Sequence, residues 1–263
     1  MRRKPFSCLS SSYRALLLLC ACQSVALAQS EGGHALTVGG YLAKGDYGES
    51  LDTRIHYLPL SYEHSSVNWT LQATLPLLQV TGFGNVLVNV GGVTQAVASN
   101  DLVTERGVGD IVLTAIRHFD PVGDLFFDLR VDVKLPSANE TKALGTGEVD
   151  FSTQLDVSAN LGSAAVFSSV GYSRRGRSAL YPGLNNSAYL QLGMAAPVSE
   201  DFSLGAFYDY RESASEFSPE SHELTPYASW QLDESWSLTT LLVFGFTDAS
   251  ADQAIMAQLR YSW

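Results

Sequence analysis

The chain has 263 residues, with 27 acids against 16 Lys and Arg and a formal net charge of −11. A surface this acidic is repelled by phosphate backbones, which argues against nucleic-acid binding. All three cysteines (Cys8, Cys20 and Cys22) fall near the start, so downstream thiolate metal sites and cysteine nucleophiles are excluded.

The N-terminus reads as a secretory signal. Arg2, Arg3, Lys4 and Arg14 form a basic start, an apolar stretch follows from Leu16, and Ala26-Leu27-Ala28 offers a small-x-small cleavage site before Gln29. We therefore expect residues 1–28 to be removed and 29–263 to form a single domain. A lipoprotein would need Cys22 as the modified residue, and Cys20 is a poor fit two positions before it. Cleavage leaves twelve bases against 27 acids, a net charge of −15, and no cysteine. A cysteine-free chain suits transit through an oxidising compartment. Two readings of the acids stand: bridging to lipopolysaccharide through divalent cations, or simple solvation of loops.

Beyond the signal no apolar run approaches twenty residues, so no transmembrane helix is expected. Segments of about ten residues with one apolar face recur instead. They place about twelve strands at 34–44, 53–64, 67–79, 107–119, 123–135, 148–161, 164–173, 186–197, 202–212, 222–232, 235–247 and 252–263. In the second strand the alternation slips near Tyr57, which implies a bulge. In the third, Leu71, Ala73 and Leu75 oppose Thr70, Gln72 and Thr74. In the fourth, Val112 and Ile116 blur the polar face.

The fifth is the clearest. Phe127, Leu129, Val131, Val133 and Leu135 face one way, and Asp128, Arg130, Asp132 and Lys134 the other. A strand that buries four charges in a row needs lipid on one side and a wet interior on the other. Phe151 to Leu161 and Trp236 to Phe246 repeat the pattern. The last strand sets Ile255, Ala257, Leu259, Tyr261 and Trp263 on one face and ends on that aromatic.

Connection lengths alternate. Short turns follow His64, Phe119, Leu161, Val198 and Leu232, and mostly longer segments lie between them. This parity, with an even strand count, predicts an all-β transmembrane antiparallel up-and-down barrel with both termini periplasmic. The expected setting is a Gram-negative outer membrane, with lipid and lipopolysaccharide as partners. The final strand resembles the signal read by the barrel-assembly machinery.

Gly107-Val-Gly-Asp110, Val133-Lys-Leu-Pro-Ser137, Leu144-Gly-Thr-Gly-Glu-Val-Asp150 and Gly171-Tyr172 together resemble the bacterial outer-membrane family labelled "meta-pathway of phenol degradation". Gly45-Asp-Tyr-Gly48 and Trp69 to Pro76 extend the resemblance over most of the mature chain. Ser137-Ala138 departs from the family's Thr-Gly. The resemblance implies a transporter barrel passing small molecules, aromatic or otherwise apolar. Gly145 and Gly147 read as a tight turn. A phosphate-cradling loop would need a helix after Gly147, where a strand is expected.

The candidate lumen residues are Asp128, Arg130, Asp132, Lys134, Asp150, Asp156, Asp209 and Arg211, with Tyr41, Tyr189, Phe207 and Tyr227 as aromatic lining. They allow two functions. One is a passive conduit for a small-molecule solute. The other is a non-conducting structural or adhesion barrel closed by salt bridges across its lumen. No enzyme is expected. His34, His64 and His118 lie at the wrong end, His222 faces away from Ser221, and inward His56 has no serine at a suggestive spacing. No cofactor and no metal site is expected. Arg174, Arg175 and Arg177 form a basic cluster on an outer loop, either offsetting the acidic surface or contacting lipopolysaccharide phosphates or an anionic solute. Whether 80–106 enters the lumen or forms an exterior hairpin stays open.

Overall fold

The computed structural model describes residues 17–19, 22–25, 33–47, 51–90, 93–139, 142, 144–179, 181, 183–216 and 218–263, with backbone alone over 17–25 and 83–103. The expected cleavage site at Ala26 to Ala28 lies outside these residues, as do Gly48 and Pro182. Strands β1 (Leu17–Leu19) and β2 (Cys22–Val25) pair only with each other. No helix of the described residues is long and apolar enough to cross a membrane.

The remaining strands form one closed antiparallel sheet. They are β3 (Gly33–Gly45), β4 (Thr53–Ser65), β5 (Trp69–Val90), β6 (Val93–Val108), β7 (Ile111–His118), β8 (Leu125–Leu135) and β9 (Asp150–Leu161). After them come β10 (Ala164–Arg174), β11 (Ser187–Pro197), β12 (Phe202–Arg211), β13 (Ser221–Gln231), β14 (Trp236–Gly245) and β15 (Gln253–Ser262). Each wall strand pairs with its sequence neighbours, and β15 pairs with β3 to close the ring. Twelve strands make the wall; β6 is additional. Closure leaves the twelve-strand wall no exposed edge to template aggregation.

The period-two pattern sets which side faces out. In β4, Ile55, Tyr57, Ser61 and Glu63 are buried while Leu58, Leu60 and Tyr62 are exposed. Large apolar side chains stand exposed around the wall, among them Leu71, Leu113, Leu129, Leu155, Leu192, Leu242 and Ile255. That exterior is the lipid-facing belt of a membrane barrel. Gly33 and Trp263 meet at the rim of the short turns, where His34 N donates to Trp263 O at 3.0 Å. Rings step around this rim, with centroids 6.0 Å apart from Tyr62 to His34, 5.7 Å to Trp263, 5.5 Å to Tyr261 and 4.8 Å to Trp236. Aromatic belts of this kind sit at headgroup level. Gly123 and Gly162 turn at this rim with φ of 63° and 65°, conformations that favour glycine.

Three expectations need correction. β4 pairs with β3 in one unbroken register, so there is no bulge at Tyr57. Ile55 and Tyr57 face inward because an apolar cluster receives them, and His56 is therefore turned outward. The strand expected at 107–119 is broken at Gly109 and Asp110, between β6 and β7. The segment 80–106, left open between a lumen insertion and an exterior hairpin, forms a hairpin. β5 runs past its last contact with β4 at Thr81 and pairs with β6 as a two-stranded ribbon rising from the wall.

Candidate functional site: the lumen and its loop-side mouth

The predicted lumen residues all face inward. Tyr41, Asp128, Arg130, Asp132, Lys134, Asp150, Tyr189, Phe207, Asp209, Arg211 and Tyr227 are buried, and Asp156 is half-buried. Their ion pairs run along the wall, however, and not across the lumen as the non-conducting alternative supposed. Arg130 Nε donates to the two Asp132 oxygens at 3.0 and 2.9 Å, and Arg211 Nε donates to Asp209 at 3.0 Å. Residues two apart on a strand share a face about 7 Å apart, within reach of an arginine. Adjacent strands satisfy the same carboxylates. Thr114 donates to Asp132 at 2.6 Å and Gln191 to Asp209 at 2.5 Å; Asp156 accepts from Ser169 of β10 and, within its own strand, from Gln154 at 2.7 Å.

Space is tight at this level. Gln154 and Asp209 are each 2% exposed, so side chains fill the middle instead of lining a wide water column. Toward the short-turn rim Gln72, Thr74, Gln258 and Arg260 are only half-buried, and the lumen opens. A twelve-strand wall lies between filled eight-strand barrels and open sixteen-strand porins.

Glycines let the aromatic rings lie flat. Tyr189 pairs with Gly171, Phe167 with Gly193, and Tyr227 with Gly205. A Cβ on these glycines would fall 2.2, 2.2 and 2.4 Å from the partner ring's Cζ. Phe167, Phe207 and Tyr227 follow one another at centroid spacings of 6.5 and 6.2 Å, and the Arg211 guanidinium sits 4.4 Å over Tyr189. Tyr57, Leu78, Leu241, Val243 and Met256 extend this apolar surface along β4, β5, β14 and β15. Sequence reasoning missed them, although strict alternation would have placed Tyr57.

At the loop-side mouth the motif residues converge on one ammonium. Lys134 Nζ lies 2.8 Å from Asp150 Oδ2 and 3.1 Å from Asp110 Oδ2, and donates to Thr146 Oγ1 at 2.6 Å. A buried lysine is costly alone, and two carboxylates with a hydroxyl offset that cost. The other oxygens hold backbone: Asp110 Oδ1 accepts from Ala138 N at 3.0 Å, and Asp150 Oδ1 from Gly176 N at 2.9 Å. Gly145 is required here, since a Cβ would lie 2.6 Å from Asp110 Oδ2 and 2.7 Å from Ala138 Cβ. Gly147 turns with φ 72°. Ser137 Oγ accepts from Ile111 N at 2.8 Å, so the departure from Thr-Gly still ties the turn to the wall.

The two neighbouring loops are tied together there. Ser178 Oγ donates to Thr146 O at 2.5 Å and accepts from Tyr181 N at 3.2 Å. Burial, and then the Asp110 carboxylate, raise the Tyr181 pKa, so its phenol stays protonated. Leu144, on the loop between β8 and β9, is fully buried against the apolar lumen cluster.

A second polar chain, unforeseen from sequence, spans the short-turn end. Arg260 clamps Glu63 with two bonds of 3.0 and 2.6 Å. Ser65 donates to Glu63 at 2.9 Å and contacts Thr70 at 3.2 Å; Thr70 meets His118 at 2.9 Å, and His118 meets Asp128 at 2.7 Å. The basic cluster divides. Arg174 and Arg177 are exposed, whereas Arg175 is half-buried and donates to Asn185 O at 2.5 Å and Ser187 Oγ at 2.9 Å.

No family model and no curated protein matches the chain. Solved structures do. The COG4313 outer membrane channel from Pseudomonas putida F1 is similar over 100% of both chains, with a TM-score of 0.72 at 16% identity. The KdgM porin aligns over 87% of this chain and 99% of its own, with a TM-score of 0.54 at 8% identity. The NanC porin aligns over 87% and 98%, with a TM-score of 0.54 at 7% identity. At these identities the likeness establishes the fold: a twelve-strand barrel of the outer-membrane type.

Proposed function

We propose that the chain is an outer-membrane channel passing small solutes down their gradients, within the family that its Gly-Asp, Lys-x-Pro and Leu-Gly-Thr-Gly segments resemble. The observation that carries this is a sealed wall, apolar outside, whose inner face joins a charged side to an aromatic one. Full-length similarity to a solved outer membrane channel supports it. The short-turn rim then faces the periplasm and the loops face outward.

Glu63 and Glu223 join the predicted acids against Arg130, Lys134, Arg211 and Arg260, so acids outnumber permanent bases inside. The path therefore favours cations over anions. The flat rings suit solutes with an apolar or aromatic body. Reconstitution in planar bilayers and liposomes tests the reading: small, cation-selective conductance with solute flux is expected, and neither current nor flux would refute it. The near-complete burial of Lys134 and Asp209 favours the rival, a non-conducting barrel, and the same recordings decide between them.

Other parts of the reading have their own checks. Removal of 1–28 predicts that protein purified from outer membranes begins at Gln29. Recognition by the assembly machinery predicts that deleting Trp263 lowers the folded, heat-modifiable fraction. Lipopolysaccharide contact predicts weaker binding after Arg174 and Arg177 become alanine.

A further inference from the structure

We infer that Leu144 forms the constriction that sets what this channel passes, and that Lys134 is the positioning residue that holds it there. The inference rests on the channel reading above. Connecting segments normally keep their side chains at the surface. Leu144 does the opposite, with 0% exposure on the segment between β8 and β9. It packs into the apolar cluster formed by the inward faces of the wall. Its methyl group lies 2.9 Å from where a Cβ on Gly107, near the end of β6, would sit, so this position is kept bare to receive it.

None of this segment's described residues belongs to the sheet ladder. Among the polar contacts that hold it, most gather around the Lys134 ammonium: Thr146 two residues after Leu144, Asp150 at the start of β9, and Asp110, whose second oxygen grips Ala138; Ser178 to Thr146 O and Lys142 Nζ to Arg106 O at 3.1 Å add to them. Lys134 therefore fixes the segment on both sides of Leu144. Gly145 allows the backbone beside Leu144 to approach Asp110.

The chemistry at the narrow point follows from the residue. An isobutyl group offers nothing to a hydrated ion, and apolar constrictions stop ion flow by dewetting. A solute with an uncharged, apolar body loses little there. The channel thus selects small uncharged or partly apolar molecules over free ions, even though its deeper wall is charged.

The test compares wild-type protein with Leu144→Gly, Leu144→Asn and Lys134→Met in planar bilayers, and with Leu161→Gly as a control on the exposed exterior. Leu144→Gly should raise ion conductance at least about threefold, and Leu144→Asn, which keeps most of the volume but not the apolarity, at least about twofold. Lys134→Met should raise it as well by freeing the segment. Should that variant fail the heat-modifiability test for folding, the Leu144→Asn recording decides alone. If wild type conducts and both Leu144 variants match it, the assignment of Leu144 is wrong while the channel reading stands. If every variant is folded yet silent, both fall.

Discussion

The two ends of the lumen are each tied by a base set against carboxylates, yet they hold different things. At the short-turn rim Arg260 clamps Glu63, and both belong to strands already fixed by hydrogen-bonded ladders. At the mouth Lys134 is enclosed and secures a connecting segment that has no ladder. Arg260 keeps about a quarter of its side chain exposed (26%), whereas that of Lys134 keeps 3%. An ion pair therefore matters in proportion to its burial and to how little else restrains the parts it joins.

Mutations sharpen that contrast. The largest effect should come from Lys134→Met, which leaves Asp110 and Asp150 facing one another without a cation; a loss of about 3–5 kcal/mol is expected from the urea midpoint in micelles. Adding Asp110→Asn and Asp150→Asn should restore most of it. Between the two ends, Gly205→Ala should displace the Tyr227 ring, costing about 1–3 kcal/mol by the same measurement. At the rim, Glu63→Gln should cost only about 1 kcal/mol, because the Arg260 left behind is partly solvated and the strands stay paired. A rim variant as damaging as Lys134→Met would overturn the comparison. Arg177→Ala, on an exposed side chain, should stay within about 0.5 kcal/mol of wild type.

The wall was legible because one face of each strand meets lipid, and alternation records that fact residue by residue. Phe127 to Leu135 is readable for this reason, and its four charges do face inward. The reading fails where the interior is apolar too. Near the mouth Ile55 and Tyr57 join an internal cluster while Arg54 and His56 face out, which reverses the expected polarity and mimics a bulge. The ribbon of β5 and β6 was legible only as one of two alternatives, because strand alternation does not report where a hairpin runs once it leaves the wall. The mouth was half legible. Its motif residues stood out, but Asp110 and Thr146 lie off the strands, and no periodicity reports where an irregular segment folds. The Arg260–Glu63 clamp joins the two ends of the chain, and local pattern cannot announce such a partner.

The seam between β15 and β3 has a consequence for biogenesis. β15 pairs with β3, more than 200 residues earlier in the chain, so the cylinder cannot seal until both strands have been made. A chain truncated before Gln253 would present two raw edges, on β14 and β3, each able to recruit a stranger. Quality control is thereby written into the order of the strands: only a chain that carries β15 can hide its own adhesive borders.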